Sequence, residues 1–300
     1  MVPLAAASAA LQVIAFAALT LLGCALLLAG CRHLTGTTLI GPCGWAIVAT
    51  CVIGVTEILL HAFAHQTAWT EPVRFAASTT CFCPLMSLLG AKRPQDKAWH
   101  FVVLSLWAIL VLPAAESLVL RHGQMPDVRG ARSWFMLALI AVGLLNALPT
   151  RFWLAGILAC TGQILMLSNY LPFLRDRFDL GPILIGFALW VSAVLVLVLR
   201  SRRDIRDRDP FDAIWLDFRD SFGALWALRV AERINAASAV GDWPIGLAWK
   251  GFFRKAEEGE DSLDELPHDV QQAVRQSFDN LLRRFVSEDW ITARLDKSLD

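Results

Sequence analysis

The sequence predicts an all-α polytopic membrane protein, with about seven transmembrane helices in residues 1–200 and a mainly helical, soluble C-terminal domain in residues 201–300. Three observations predict it. Of 300 residues, 56% are hydrophobic and 18% charged, with a mean hydropathy of +0.52, well away from the composition of an average soluble domain. The 27 basic and 27 acidic residues balance overall but not along the chain. Residues 1–199 hold 11 basic and 7 acidic side chains, leaving 16 and 20 for the last third. Long uncharged runs also recur, most of them near the roughly 20 residues that a helix needs to cross a hydrocarbon core of about 30 Å.

The first charged side chain is Arg32, so residues 2–29 form a first span. They lack the basic start and shorter apolar region of a cleaved signal peptide. Leu28, Ala29, Gly30 and Cys31 have the form of a bacterial lipobox, which would make Cys31 a lipid-modification site, but the missing basic start favours a span. Residues 39–64 are the second span, carrying Glu57 and His61, with His65 just beyond.

Arg74 and Lys92 enclose seventeen uncharged residues, among them Ser78, Thr79, Thr80 and Pro84, which is short and polar for a span. The segment either crosses, with neighbouring helices satisfying freed backbone groups, or dips in and re-emerges. Residues 98–120 form a further span, with Trp99 at headgroup level. Residues 134–171 would make about 57 Å of helix, too long for one crossing, and the turn at 148–151 divides them into a hairpin. Residues 180–199 are the last span. Arg200, Arg202, Arg203, Arg206 and Arg208 follow it, and basic residues at span ends are retained in the cytoplasm. This places the chain in the cell (cytoplasmic) membrane, surrounded by lipid, with its C-terminal domain cytoplasmic. Seven spans then put the amino terminus outside and six put it inside; charge counting does not separate the two, and the absence of any Lys or Arg before Arg32 favours seven.

In the C-terminal domain, Asp209 and Pro210 start a helix. Phe211, Trp215, Phe218, Phe222 and Leu225 recur on one face, with Asp212, Asp217, Arg219 and Asp220 mainly on the other. The expected partner of this helix, taken over 211–235, is a second amphipathic stretch entered at Pro267: Val270, Val274, Phe278, Leu281, Leu282 and Phe285. Between them, residues 243–254 suggest a hairpin and 256–265 an acidic loop.

The composition excludes several classes. A neutral pI near 7.0 and no uninterrupted basic block argue against nucleic acid as a partner. All seven cysteines lie in the apolar part, an odd count that suggests packing residues, not a disulfide framework. Cys81 and Cys83, two apart, do not face the same way on a helix. Lys92, Arg93 and Pro94 read as an interfacial basic loop.

Glu57, His61 and His65 are spaced four apart, so their side chains share a helix face within an arc of roughly 80°. Imidazoles and a carboxylate on one face suit a divalent transition metal. Glu116 is the second intramembrane carboxylate, and in a seven-span arrangement it falls at the same depth. Glu57, His61, His65 and Glu116 are therefore the candidate metal ligands. The competing reading is that acids and histidines near span ends simply bond to neighbouring helices.

Three functions follow from these residues. With no phosphate loop, Cys-x-x-Cys knuckle or nucleophile elbow in the C-terminal domain, the leading expectation is a non-enzymatic scaffold or assembly component, docking a cytoplasmic or membrane protein through residues 201–300. The alternatives are a membrane redox or metal-handling protein built on the Glu/His cluster, and a small-solute transporter.

Overall fold

The computed structural model describes residues 2–63, 67–121, 124–171, 173–174, 182–201, 210–254 and 267–296. The fold is mostly helical. Among the described residues four helices are long and apolar enough to cross a membrane, Ala9–Leu34, Ile40–Phe63, Lys97–Leu120 and Pro182–Ser201. The expectation of seven is corrected to four, because the other three stretches form shorter or interrupted helices.

Helices α1 (Val2–Cys31) and α2 (Ile40–Phe63) form an antiparallel pair. Cys31 is disulfide-bonded to Cys43, a departure from the expectation that most of the cysteines are packing residues and none forms a disulfide framework; the other five are free. Deeper in the same seam the Cys24 and Cys51 thiols lie 3.3 Å apart.

The next segment is α3 (Thr70–Thr79), a 3-10 turn (Thr80–Phe82) and α4 (Cys83–Leu89). Pro84 explains the break. It has no N–H for the Thr80 carbonyl, which accepts instead from the Cys83 amide, one residue nearer. The Cys81 carbonyl is satisfied from outside the helix, by Gln163 Nε2 at 3.0 Å. Thr79 and Thr80 hydroxyls bond back to the Ala76 and Ala77 carbonyls at 2.8 and 2.6 Å, a habit that loosens helices. Arg74 meets Glu57 near the end of α2, while the Ala91 carbonyl accepts from Thr38 at its start. The segment therefore runs the length of α2 and does not turn back on itself.

Helix α5 (Asp96–Leu120) is followed by the expected hairpin, α6 (Ala131–Ala147) and α7 (Trp153–Leu167), whose 17 and 15 residues measure only about 22 to 26 Å. Helix α8 (Pro182–Ser201) packs on α7 and α1. Gly162 and Gly186 allow the α7–α8 approach, since a Cβ on either would lie 2.6 to 2.7 Å from the other's carbonyl oxygen.

The tail comprises α9 (Pro210–Val240), the antiparallel hairpin β1 (Ile245–Ala248) and β2 (Gly251–Arg254), α10 (His268–Leu282) and α11 (Glu288–Asp296). Its core holds Phe211, Trp215, Phe218, Phe222, Val274, Phe278, Leu282 and Phe285, as their spacing predicts. The expected single helix over 211–235 is bent. Gly223 has φ 80° and ψ 179°, a conformation open essentially to glycine alone. The bend rotates Leu225 out of the core, leaving it 41% exposed, and frees its amide, which Asn146 Oδ1 of α6 accepts at 2.9 Å. An alanine at 223 would also collide with the Asn146 side chain. Gly223→Ala should destabilise the protein by at least about 1–3 kcal/mol; an unchanged unfolding midpoint in detergent would show that the bend is dispensable.

The polar side of α9 is not simply solvated. Asp217 bonds Arg151 of the α6–α7 turn at 2.8 Å and Arg294 of α11 at 2.7 Å, and Asp220 is buried beside Arg219. Backbone hydrogen bonds complete the joint. Thr38 donates to the Phe285 carbonyl (2.9 Å), Arg93 to that of Arg284 (2.7 Å), and Ser287 to that of Gly36 (2.6 Å). Leu39 and Ala91 belong to the tail's own core, so the two parts share side chains. The segment 202–208 with its arginines and the acidic stretch 256–265 lie outside the described residues.

Candidate functional site

The site sits at the end of the bundle away from the tail, where α2 finishes and α3 begins. Glu57 and His61 share a face of α2 as expected, with His61 Nε2 3.5 Å from Glu57 Oε2 and the imidazole stacked on Phe16 at 5.7 Å between centroids. Glu57 is only 2% exposed, so its charge needs a partner. That partner is Arg74, at the boundary of the uncharged run 75–91. Its Nε and Nη2 hold the two Glu57 oxygens at 2.8 and 3.1 Å, a bidentate fork. Arg74 Nη1 reaches Glu71 Oε1 at 2.8 Å, and the Tyr170 hydroxyl donates to Glu71 Oε2 at 3.0 Å. Glu57, Arg74, Glu71 and Tyr170 thus form one chain of charge-assisted hydrogen bonds linking α2, α3 and the end of the α7 segment.

Glu116 does not join them. Arg132, in the first turn of α6, grips it with Nη2 on Oε1 at 2.6 Å and Nη1 on Oε2 at 2.8 Å. In the intervening loop, Asp127 accepts from the Arg129 amide at 3.2 Å, which holds its carboxyl below the usual range against a smaller opposing effect of burial, with help from Arg121. Of the expected set of Glu57, His61, His65 and Glu116, the described residues bring two together. Glu57 and His61 meet, Glu116 is taken by an arginine, and His65 lies outside the described residues. Among those residues no group of three or more His, Cys, Asp or Glu is placed to hold a metal ion. The physical reason is competition: an arginine already occupies both oxygens of each carboxylate.

Cys81 and Cys83 are buried free thiols within the interrupted helix. His100, on α5, accepts from Trp45 Nε1 at 2.9 Å and lines a groove of about 490 Å³ with Gly41, Ser87 and Ala91 near the start of α2.

The four long apolar helices define a multi-pass membrane protein. Comparison with protein-family models, curated proteins and solved structures found no match for this chain.

Proposed function

We propose that this protein is a non-enzymatic membrane scaffold whose tail is a docking platform on the cytoplasmic side of the cell membrane. The observation that carries this reading is the joint between tail and bundle. Three backbone hydrogen bonds, the Arg151–Asp217 pair and a shared core fix the tail's orientation to the membrane, which is the mechanical property a platform needs. Leu228, Val240 and Phe253 face outward from it, 59%, 91% and 42% exposed. The arginines at 200–208 support the cytoplasmic assignment. The Cys31–Cys43 bond at the same end points the other way, since disulfides are rare in the cytosol. The arginines decide orientation, because they act during insertion.

A transporter is the second reading, supported by the interrupted helix lodged in the bundle. Against it, the freed carbonyls of Thr80 and Cys81 accept from the Cys83 amide and Gln163, and the Thr79 and Thr80 hydroxyls bond within their own turns, so these groups are already satisfied within the protein. The metal-handling reading gains no support from the arginine-bound carboxylates.

A photo-crosslinking residue placed at Leu228 or Val240 in living cells should give a discrete protein adduct, absent from a control at the bundle-embedded Phe16. Failure of every tail position to capture a protein would sink the scaffold reading.

A further inference from the structure

Several arginines here come with acids: Arg74 with Glu57, Arg132 with Glu116, Arg151 with Asp217, Arg219 with Asp220. Four basic side chains at the seam of bundle and tail do not. Lys92, Arg229, Arg233 and Arg284 line one cavity of about 240 Å³, and among the described residues none of them has an ion-pair partner. Glu232 is the single carboxylate in the lining, so three positive charges are in excess.

The cavity is assembled from three elements. Lys92 comes from the loop after α4, Arg229 and Arg233 lie one turn apart on α9, and Arg284 follows α10. The Arg93 amide, bonded to the Arg284 carbonyl at 2.7 Å, fixes the loop against the end of α10. The floor is aromatic. Trp226 packs on Phe285 with centroids 4.9 Å apart, donates to the Leu88 carbonyl at 2.9 Å, and lies under the Arg229 guanidinium at 5.4 Å. Arg229, Arg233 and Arg284 are exposed, so water screens their mutual repulsion, and the excess positive charge remains available to an anion from outside. Guanidinium forks match phosphate oxygens, and a volume below the roughly 300 Å³ of ordinary ligand pockets admits a phosphate group with a short substituent. Leu88 closes the last turn of α4, at the bundle end where α1 and α8 finish, which sets the cavity at headgroup level.

We propose that this cavity binds a phosphate group, presented by an anionic phospholipid headgroup. The site is independent of whether the tail docks a protein.

The test uses the purified full chain, delipidated in uncharged detergent and titrated with phosphatidylglycerol, phosphatidylcholine or inorganic phosphate while unfolding is followed. A ligand of the native state raises the midpoint with the logarithm of its concentration over Kd. Phosphatidylglycerol should raise it and phosphatidylcholine should not. Arg229→Gln combined with Arg284→Gln should weaken the response by about tenfold or more while leaving the ligand-free midpoint near wild type, because neither side chain has an ion pair to lose. Arg283→Gln removes the same charge from a neighbour already paired with Glu288 at 2.8 Å and should leave the response intact. If the double variant fails to fold, Lys92→Gln alone carries the same test. Equal protection by inorganic phosphate, lost in the same variants, would overturn the lipid source in favour of a soluble phosphate. Protection that survives the variants, or none from either phosphate source, would overturn the site.

Discussion

Arg74→Ala should destabilise the protein by about 3–5 kcal/mol, the usual consequence of leaving one member of a buried ion pair behind. Glu57 is 2% exposed and both its oxygens are held by Arg74. Truncating the arginine strands a carboxylate among apolar helices, with only His61 at 3.5 Å to answer it. Removing both charges is a different experiment. Glu57→Leu with Arg74→Met replaces the pair by hydrophobic groups of similar length, a change that is often near neutral, so the double variant should recover most of the loss. Glu71, left by the same substitution, is one-third exposed and keeps the Tyr170 hydroxyl, so it adds little. Reversible unfolding of the purified protein in mixed micelles would measure all three. If the double variant were as unstable as Arg74→Ala, the lost guanidinium hydrogen bonds to Glu57 and Glu71, not the stranded charge, would be the cause.

The parts of this structure that the sequence discloses are those governed by short-range periodicity. The apolar runs, the 148–151 turn, the hairpin after Trp243 and the aromatic face of α9 were all legible because each depends on residues a few positions apart. Glu57 and His61 on one face were legible for the same reason. Arg74 was not, because its meeting with Glu57 depends on the return of 70–89 along α2, a tertiary fact with no local signature. A signal existed for Glu116. Its partner Arg132 stands only sixteen residues on, in the first turn of the next helix, so the pairing spans a single connecting loop.

The cysteines carried a similar signal. In an antiparallel pair joined by a short turn, contacting positions sum to a near constant, and 31 with 43 and 24 with 51 do so. Counting spans by hydrophobicity overran, because a run of apolar residues does not reveal where proline or a turn shortens the helix.

Phe285→Ala should be the most damaging substitution in the tail, costing about 3–5 kcal/mol. The ring is buried and meets Phe218, Phe222 and Trp226 edge-on, with centroids 5.3, 5.4 and 4.9 Å away. Its main chain also belongs to the joint, since the Phe285 carbonyl accepts from Thr38 and the preceding carbonyl from Arg93. A cavity under this residue therefore loosens the tail core and the seam together. Phe285→Leu retains much of the volume and should cost clearly less, roughly 1–2 kcal/mol. Amide hydrogen exchange separates the two effects. In Phe285→Ala the Thr38 and Arg93 amides should exchange faster than in the wild type, while amides in the middle of α8, remote from the tail, keep their protection. Unchanged protection at Thr38 and Arg93 despite a destabilised tail would show that the joint is held without Phe285, and the tail would then be a separately folding unit instead of an extension of the bundle.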